Sequence, residues 1–484
     1  MTNASMVADA NPGDAASGHD SAELAFEVDE LDCSHPHPTT FVQKARELVV
    51  KYMSFVGPGL LIAVAYIDPG NYSTDVAAGA LFRFDMLFIV FLSNVFAIIL
   101  QALSAKLGSV TGLNLAENCR AHFPRWLNIS MYVLAEAAII ATDIAEVIGS
   151  AIALNLLLHV PLPAGVAITI IDVLIILLAY RPDGPLRGIR IFEAGVACLV
   201  FGVAICFSIL LTKITGTSFA QVMRGYLPNS TIVSSGGLYT SCGILGATVM
   251  PHSLYLGSGI VQPRLKAYDV SKGIASTNAF KYTPSLAAIR YTLSFTIAEV
   301  TVSLFTLALF INSAILIVAG ATLSNEPNAA SADLFSIHEM LSSKLAAAAG
   351  TVFALALLLS GLSSGVVATL AGQMVSEGFL SWTIRPWLRR IITRSIAIVP
   401  CLVVASSVGR SGLANVLNGS QVALSILLPF VTAPLIYFTA LKKYMCVALE
   451  HEEDEQPVFV DLSNSWWLVI VSILVWVFIT ALNM

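Results

Sequence analysis

About eleven stretches of this chain are each apolar over the length that crosses a bilayer, about 20 residues, and nothing else in the sequence narrows the possible folds so far. They fall roughly at 54–80, 86–107, 130–157, 163–180, 191–212, 237–260, 291–320, 346–372, 391–408, 413–440 and 465–483. Hydrocarbon offers no partner to a backbone N–H or C=O, so segments of this length must close their hydrogen bonds internally, as helices. Of 484 residues, 56% are hydrophobic and 12% charged, and the mean hydropathy of +0.80 is that of a chain living mostly in lipid. The expected fold class is an all-α polytopic membrane protein of about eleven helices, with the lipid bilayer as its solvent and no nucleic acid among its partners.

The connections orient it. With a cytoplasmic N-terminus, the outer segments keep only Arg83, Lys213, Arg224, Lys344 and Arg410 of the 25 Lys and Arg residues. The other twenty or so collect on the inner side, an asymmetry that sets topology because basic flanks resist translocation. An odd number of spans places the C-terminus outside. Residues 1–48 read as a polar, acidic, disordered cytoplasmic tail without a basic leader. Glu450 to Glu455, EHEEDE, form an acidic patch in the last inner connection, which with the eleventh helix makes up 441–484. The seven cysteines include no CxxC pair, so neither a disulfide framework nor a zinc site is indicated. Cys33, His35 and His37 read as ordinary tail residues. Asn229-Ser230-Thr231 is a glycosylation sequon on the expected outer side.

Two spans are interrupted. The first breaks at Asp68-Pro69-Gly70-Asn71, the sixth near Met250-Pro251-His252. Proline removes a backbone donor and glycine accepts unusual dihedrals, so the helix unwinds there and frees carbonyls. Five spans separate the breaks. That odd offset makes the second unit enter from the opposite side, so the halves, 49–215 and 235–440, are expected to form a five-plus-five inverted repeat with discontinuous helices one and six. Matching broken helices in two halves mark the central site of a transporter. A plain proline kink would explain Pro69 but not Asp68, which costs on the order of 3 kcal/mol near the bilayer centre.

Asp68 offers a carboxylate and Asn71 an amide oxygen, while Met250 brings a thioether beside the second break. Oxygen alone suits calcium or magnesium; a soft sulfur favours manganese, iron, cobalt, zinc or cadmium. On span three, Glu136, Asp143 and Glu146 stand at i, i+7 and i+10, on one helical face. Such acids pair with cations or relay protons; with Arg389, Arg390 and Arg394 of span nine, and with His252 nearby, they could also form a purely structural ion network. Gln421 on span ten could lend a cation its amide oxygen, with Asn418 one turn earlier, or could serve only an interhelical hydrogen bond.

The motifs DPGN (Asp68 to Asn71), TDIAEVIG (Thr142 to Gly149), GATVMPH (Gly246 to His252) and SQVALSILLPF (Ser420 to Phe430) resemble those of the natural resistance-associated macrophage protein (Nramp) family of divalent-metal and proton cotransporters, in its fungal branch, over roughly residues 50 to 440. The resemblance implies a LeuT-like inverted-repeat fold. It implies metal binding by Asp68, Asn71 and Met250, with the carbonyls of Ala65 and Ala247 and the side chain of Gln421 contributing. It further implies that Asp143 accepts a proton, with Glu146, Glu136, His252 and an arginine of span nine around it. The substrate would be manganese or ferrous iron, with no cofactor, at the plasma membrane or an endosomal or vacuolar one. Two positions depart from the common family pattern: Ser253, where many relatives carry Asn, and Gly257, where many carry His.

An amino-acid transporter of the same architecture, a channel and a metal-sensing receptor are the rival readings. No nucleophile with a base partner and no phosphate loop appears, so an enzyme is not expected.

Overall fold

The first apolar run forms two helices. α1 (Pro58–Val64) ends in turns tightened to i→i+3 spacing, Ala65 N–H to Ile62 O at 3.0 Å and Tyr66 N–H to Ala63 O at 3.0 Å. The chain then becomes extended at Asp68 (φ −107°, ψ 166°), the conformation that a following proline favours. α2 (Pro69–Phe82) starts with that proline in its first position, where the missing N–H would have had no partner anyway. The sixth run repeats the device: α7 (Ser235–Thr248) stops, Met250 is extended (φ −73°, ψ 125°), and Pro251 opens α8 (Pro251–Gly259).

This computed structural model describes residues 57–169, 186–275, 282–324, 333–344, 347–381, 386–448 and 459–483, and only the backbone at 186–190, 192, 344, 347, 386, 387, 389 and 390. The tail, Cys33, His35, His37, the 450–455 acidic run and most of the fourth apolar stretch lie outside the described residues.

Between the breaks run α3 (Leu87–Thr111), the short α4 (Leu115–His122), α5 (Arg125–Leu158), a helical stretch 162–169 and α6 (Leu186–Lys213). Beyond the second break come α9 (Gln262–Ser271), α10 (Leu286–Ser303) joined through a π-helical turn to α11 (Leu309–Thr322), the short α12 (Leu334–Lys344), α13 (Ala347–Leu380), α14 (Pro386–Ser407), α15 (Arg410–Ala440) and α16 (Trp466–Leu482). Among the described residues, seven helices are long and apolar enough to cross a membrane, and Ile391–Ser407 and Trp466–Leu482 are shorter apolar ones. Among the described residues the helices fall on the apolar runs, the fourth of which lies mostly outside them.

One element is additional to the helices. Residues flanking the acidic connection pair as a short antiparallel ladder, β1 (Cys446–Ala448) with β2 (Phe459–Asp461), in register Val447 to Val460. It sits at the foot of α16, which Trp476 ties to α15 by donating from Nε1 to the Pro429 carbonyl at 2.9 Å, a group beside a proline inside that helix.

α2 packs on α11 and α7, while α5 packs on α13, α15 and α14. Outward faces keep large apolar side chains exposed, including Phe201, Ile205 and Ile209 on α6 and Ile470, Leu474 and Val477 on α16. Lipid, unlike water, solvates such a surface. On the expected outer side, Asn229 donates from Nδ2 to the Asp85 carbonyl at 2.7 Å, so attaching a glycan to that nitrogen would have to break a bond the fold already uses.

One close helix approach has a glycine at its centre. A Cβ on Gly108 of α3 would overlap the carbonyl of Ser258 on α8, whose hydroxyl in turn accepts from Leu115 N–H at 2.9 Å. Because the obstacle is backbone, it cannot turn aside. Gly108→Val is expected to lower the melting temperature of the purified protein, at a cost of about 1–3 kcal/mol or more. A melt matching wild type would mean that these two helices can part freely.

Candidate metal centre

The break in span one is held open by its own carboxylate. Asp68 caps α2: Oδ2 accepts from Gly70 N–H at 3.1 Å, and Oδ1 accepts from Asn71 N–H at 2.9 Å and from the Asn71 amide at 2.7 Å. The same Asn71 Nδ2 donates to the Ala247 carbonyl at 3.0 Å, so one side chain spans the two breaks. Asn71 Oδ1 accepts from Thr248 at 3.4 Å and from Asn312 at 3.5 Å. Two carbonyls of the unwound segment find donors across helices, Tyr66 O from Asn312 at 3.0 Å and Ile67 O from Ser360 at 2.6 Å. Irregular backbone at this depth is stable only when protein satisfies it in this way.

Gln421 of α15 closes the ring. A Cβ on Gly70 would collide with its carboxamide, and one on Gly246 with its backbone carbonyl, so both breaks are shaped around this residue. Its Nε2 donates to Ser420 at 2.9 Å while its Oε1 is buried without a hydrogen-bond partner. An orphaned oxygen here costs free energy until something electropositive meets it. Asp68, Asn71, Ala65, Ala247, Met250 and Gln421 are all buried, and Met250 stands just before α8, three residues beyond Ala247. Among the described residues no cluster of three His, Cys, Asp or Glu side chains could hold a metal. A cation at the breaks would therefore meet one carboxylate and several neutral donors, a set suited to holding an ion and letting it go.

Beside the breaks lies an ion network. Arg394 Nη1 donates to Glu146 Oε2 at 3.0 Å and to Asp143 Oδ1 at 3.5 Å, with all three residues buried. Thr142 Oγ1 is 3.2 Å from His252 Nδ1, joining the first residue of the span-three motif to the end of GATVMPH. Arg394 is thus a span-nine arginine that turns inward; the side chains of Arg389 and Arg390 lie outside the described residues. Glu136, two turns before Asp143 on α5, is half-buried. Further along α5, Gly149 leaves the space that Pro69 fills, so this helix supports the break as well as carrying acids.

Sequence reasoning missed Gln101 of α3. Its Nε2 donates to Tyr66 Oη and to Ser253 Oγ, each at 2.9 Å, and Ser253 donates to the Met250 carbonyl at 2.7 Å. A Cβ on Gly257 would overlap Gln101 Oε1. The two positions at which this chain departs from the Nramp pattern therefore surround one glutamine. A lone Gln in the apolar run of α3 carries no signal of that role, because its partners lie 35 positions away at Tyr66 and 152 positions away at Ser253.

Two broken helices meeting at one junction, lined by a carboxylate, an amide and an unpartnered amide oxygen, are the architecture of a transporter-type membrane protein. The family model for natural resistance-associated macrophage protein-like proteins matches residues 59–484. The chain is 55% identical over 440 residues to the manganese transporter pdt1 of Schizosaccharomyces pombe, an alignment covering 90% of this chain and 84% of that protein. It is 50% identical over 457 residues to an iron transporter of Saccharomyces cerevisiae, covering 90% and 96%. The solved structure of the Eremococcus coleocola manganese transporter, in complex with an aromatic bis-isothiourea substituted compound, superposes with a TM-score of 0.74 at 33% identity, covering 93% of this chain and 87% of that one. This chain belongs to the Nramp family, and these relatives are metal transporters, not enzymes.

Proposed function

We propose that the protein is a secondary transporter that carries a divalent transition-metal ion, manganese or ferrous iron, into the cytoplasm together with protons by alternating access. The observation that carries this reading is the junction of the two breaks, where Asn71 bridges Asp68 to the Ala247 carbonyl and Gln421 Oε1 has no partner. Similarity to a manganese and to an iron transporter supports the substrate class.

In the proposed cycle a partly dehydrated ion enters from outside and replaces the Asn71 amide hydrogens at Asp68, taking oxygen from Asn71, Gln421 and the carbonyls of Ala247 and Ala65, and sulfur from Met250. Metal binding displaces protons from its ligands. The nearby network of Asp143, Glu146, Glu136, His252 and Arg394 is the proposed relay, with Arg394 holding the two carboxylates in place. One half-repeat then rocks against its surroundings, closing the outer path and opening the inner one. Each positive charge moved inward gains about 2.3 kcal/mol per 100 mV, so a divalent ion with one proton gains about 7. A pH difference of one unit adds about 1.4 kcal/mol per proton. The basic inner loops support an N-terminus in the cytoplasm, in the plasma membrane or an endosomal or vacuolar one.

The experiment is manganese uptake into proteoliposomes with a large excess of calcium and an inward-negative potential. Wild type is expected to accumulate manganese undisturbed by calcium, and Met250→Ala to lose that immunity by about tenfold or more, the thioether being the ligand a hard ion cannot use. No uptake under any gradient, despite metal binding, would replace this reading with that of a metal-sensing receptor.

A further inference from the structure

Asp75 is a buried carboxylate that the proposed cycle does not use. It lies on α2, seven residues beyond Asp68 and four beyond Asn71, and is 1% exposed. Among the described residues, neither of its oxygens has a hydrogen-bond partner. Its direction follows from its neighbours along the helix: Asn71 meets Asn312 of α11, and Gly79 lies against the backbone of Leu316 and Gly320. Position 75 is midway on that i, i+4 row and so faces α11.

Among the described side chains, no Lys, Arg or His of the helices packed there hydrogen-bonds to Asp75. α11, α7 and α13 contain no Lys, Arg or His. On α15 the one basic residue, Arg410, is paired with Asp333 at 3.0 Å and Glu339 at 2.8 Å, and on α5 the one basic residue is Arg125, at the helix start. α12 contributes His338 and, at its last position, Lys344, whose side chain lies outside the described residues. A second atom points the same way: Asn312 turns its amide nitrogen to Tyr66 O and Asn71 Oδ1, which leaves its Oδ1 buried and without a partner. Two buried oxygen donors on facing helices, both lacking a donor, are what a cation site offers before its ion arrives.

We propose that Asp75, with Asn312 Oδ1, is a second cation station on the outer side of the break, where a divalent ion stops before reaching Asp68. The proposal rests on the transport reading above. Seven helical residues span about 10 Å, too far for one ion to touch both carboxylates, so the stations are used in turn. The outer one offers only oxygen and should hold calcium as readily as manganese; discrimination then arises at the inner one, where Met250 adds sulfur.

Two measurements on the full-length protein test this. In proteoliposomes, Asp75→Asn is expected to raise the KM for manganese about fivefold or more and to change kcat much less, as for a ligand used before the rate-limiting rearrangement. Asp75→Glu should restore most of the loss, and matching melting temperatures would show that both variants fold. In detergent, calorimetric titration of Asp68→Asn should show residual, weak binding of manganese and calcium with similar affinity, abolished in Asp68→Asn/Asp75→Asn. An unchanged KM, or residual binding that survives the second substitution, would overturn the proposal. So would a variant whose uptake changes only in its pH dependence, which would make Asp75 a proton carrier. The titration requires no transport, so it decides the matter even if uptake itself fails.

Discussion

Manganese uptake by Asp68→Asn is expected to fall about a hundredfold or more while the protein remains folded. Both halves of that expectation come from one geometry. Asp68 caps α2 by accepting from Gly70 N–H and Asn71 N–H, and asparagine caps helices about as well as aspartate, so the local fold has little reason to change. The negative charge is what the substitution removes. Truncating one partner of a buried charged contact costs about 3–5 kcal/mol, and every 1.4 kcal/mol is about tenfold. Met250, Ala247, Asn71 and Gln421 are neutral donors and cannot replace the lost charge. The check is paired: uptake in proteoliposomes and melting temperature in detergent. Uptake within a few-fold of wild type would remove Asp68 from the site, and a collapsed melting temperature would recast it as a structural cap.

Arg394→Met is expected to be the most destabilising single change in the ion network. Arg394 lies within 3.5 Å of Asp143 and 3.0 Å of Glu146, with its side chain 3% exposed and theirs fully buried. Removing the guanidinium takes a buried counter-charge away from two carboxylates, at a cost of about 3–5 kcal/mol. The melting temperature should fall clearly. The double variant Arg394→Met/Glu146→Gln should recover part of the loss, because it removes one of the stranded charges. Recovery of stability without recovery of proton-coupled uptake would separate the two roles of the network. A single variant that melts like wild type would show that the pair contributes little to the fold.

Legibility in the sequence followed how local each cause was. The break at Asp68 to Asn71 was readable because a proline acts on its immediate neighbours and an aspartate before it has two backbone N–H groups within reach. The second break was readable for the same reason, and pairing the two pointed to the centre of the molecule. Asp143 and Glu146 share a face by helical spacing alone. By contrast, Arg389, Arg390 and Arg394 follow one another too closely for spacing to say which turns inward. Only the packing of α14 on α5 brings Arg394 to the acids. The β1–β2 ladder was not expected, since its strands are three residues each and lie on either side of a charged run.

What the sequence determined by itself is the solvent of the fold, its helical class and the two places where helices must break, because hydrophobicity, proline geometry and capping act within a few residues. What only the tertiary structure decided is which distant groups meet at those breaks. Asn71 reaches Ala247 across 176 positions and Gln101 reaches Ser253 across 152, and the glycines at 70, 246 and 257 leave space for side chains from other spans. Such contacts depend on how closely helix backbones approach. That distance is set by the packing of the whole bundle, and no window of the chain contains it.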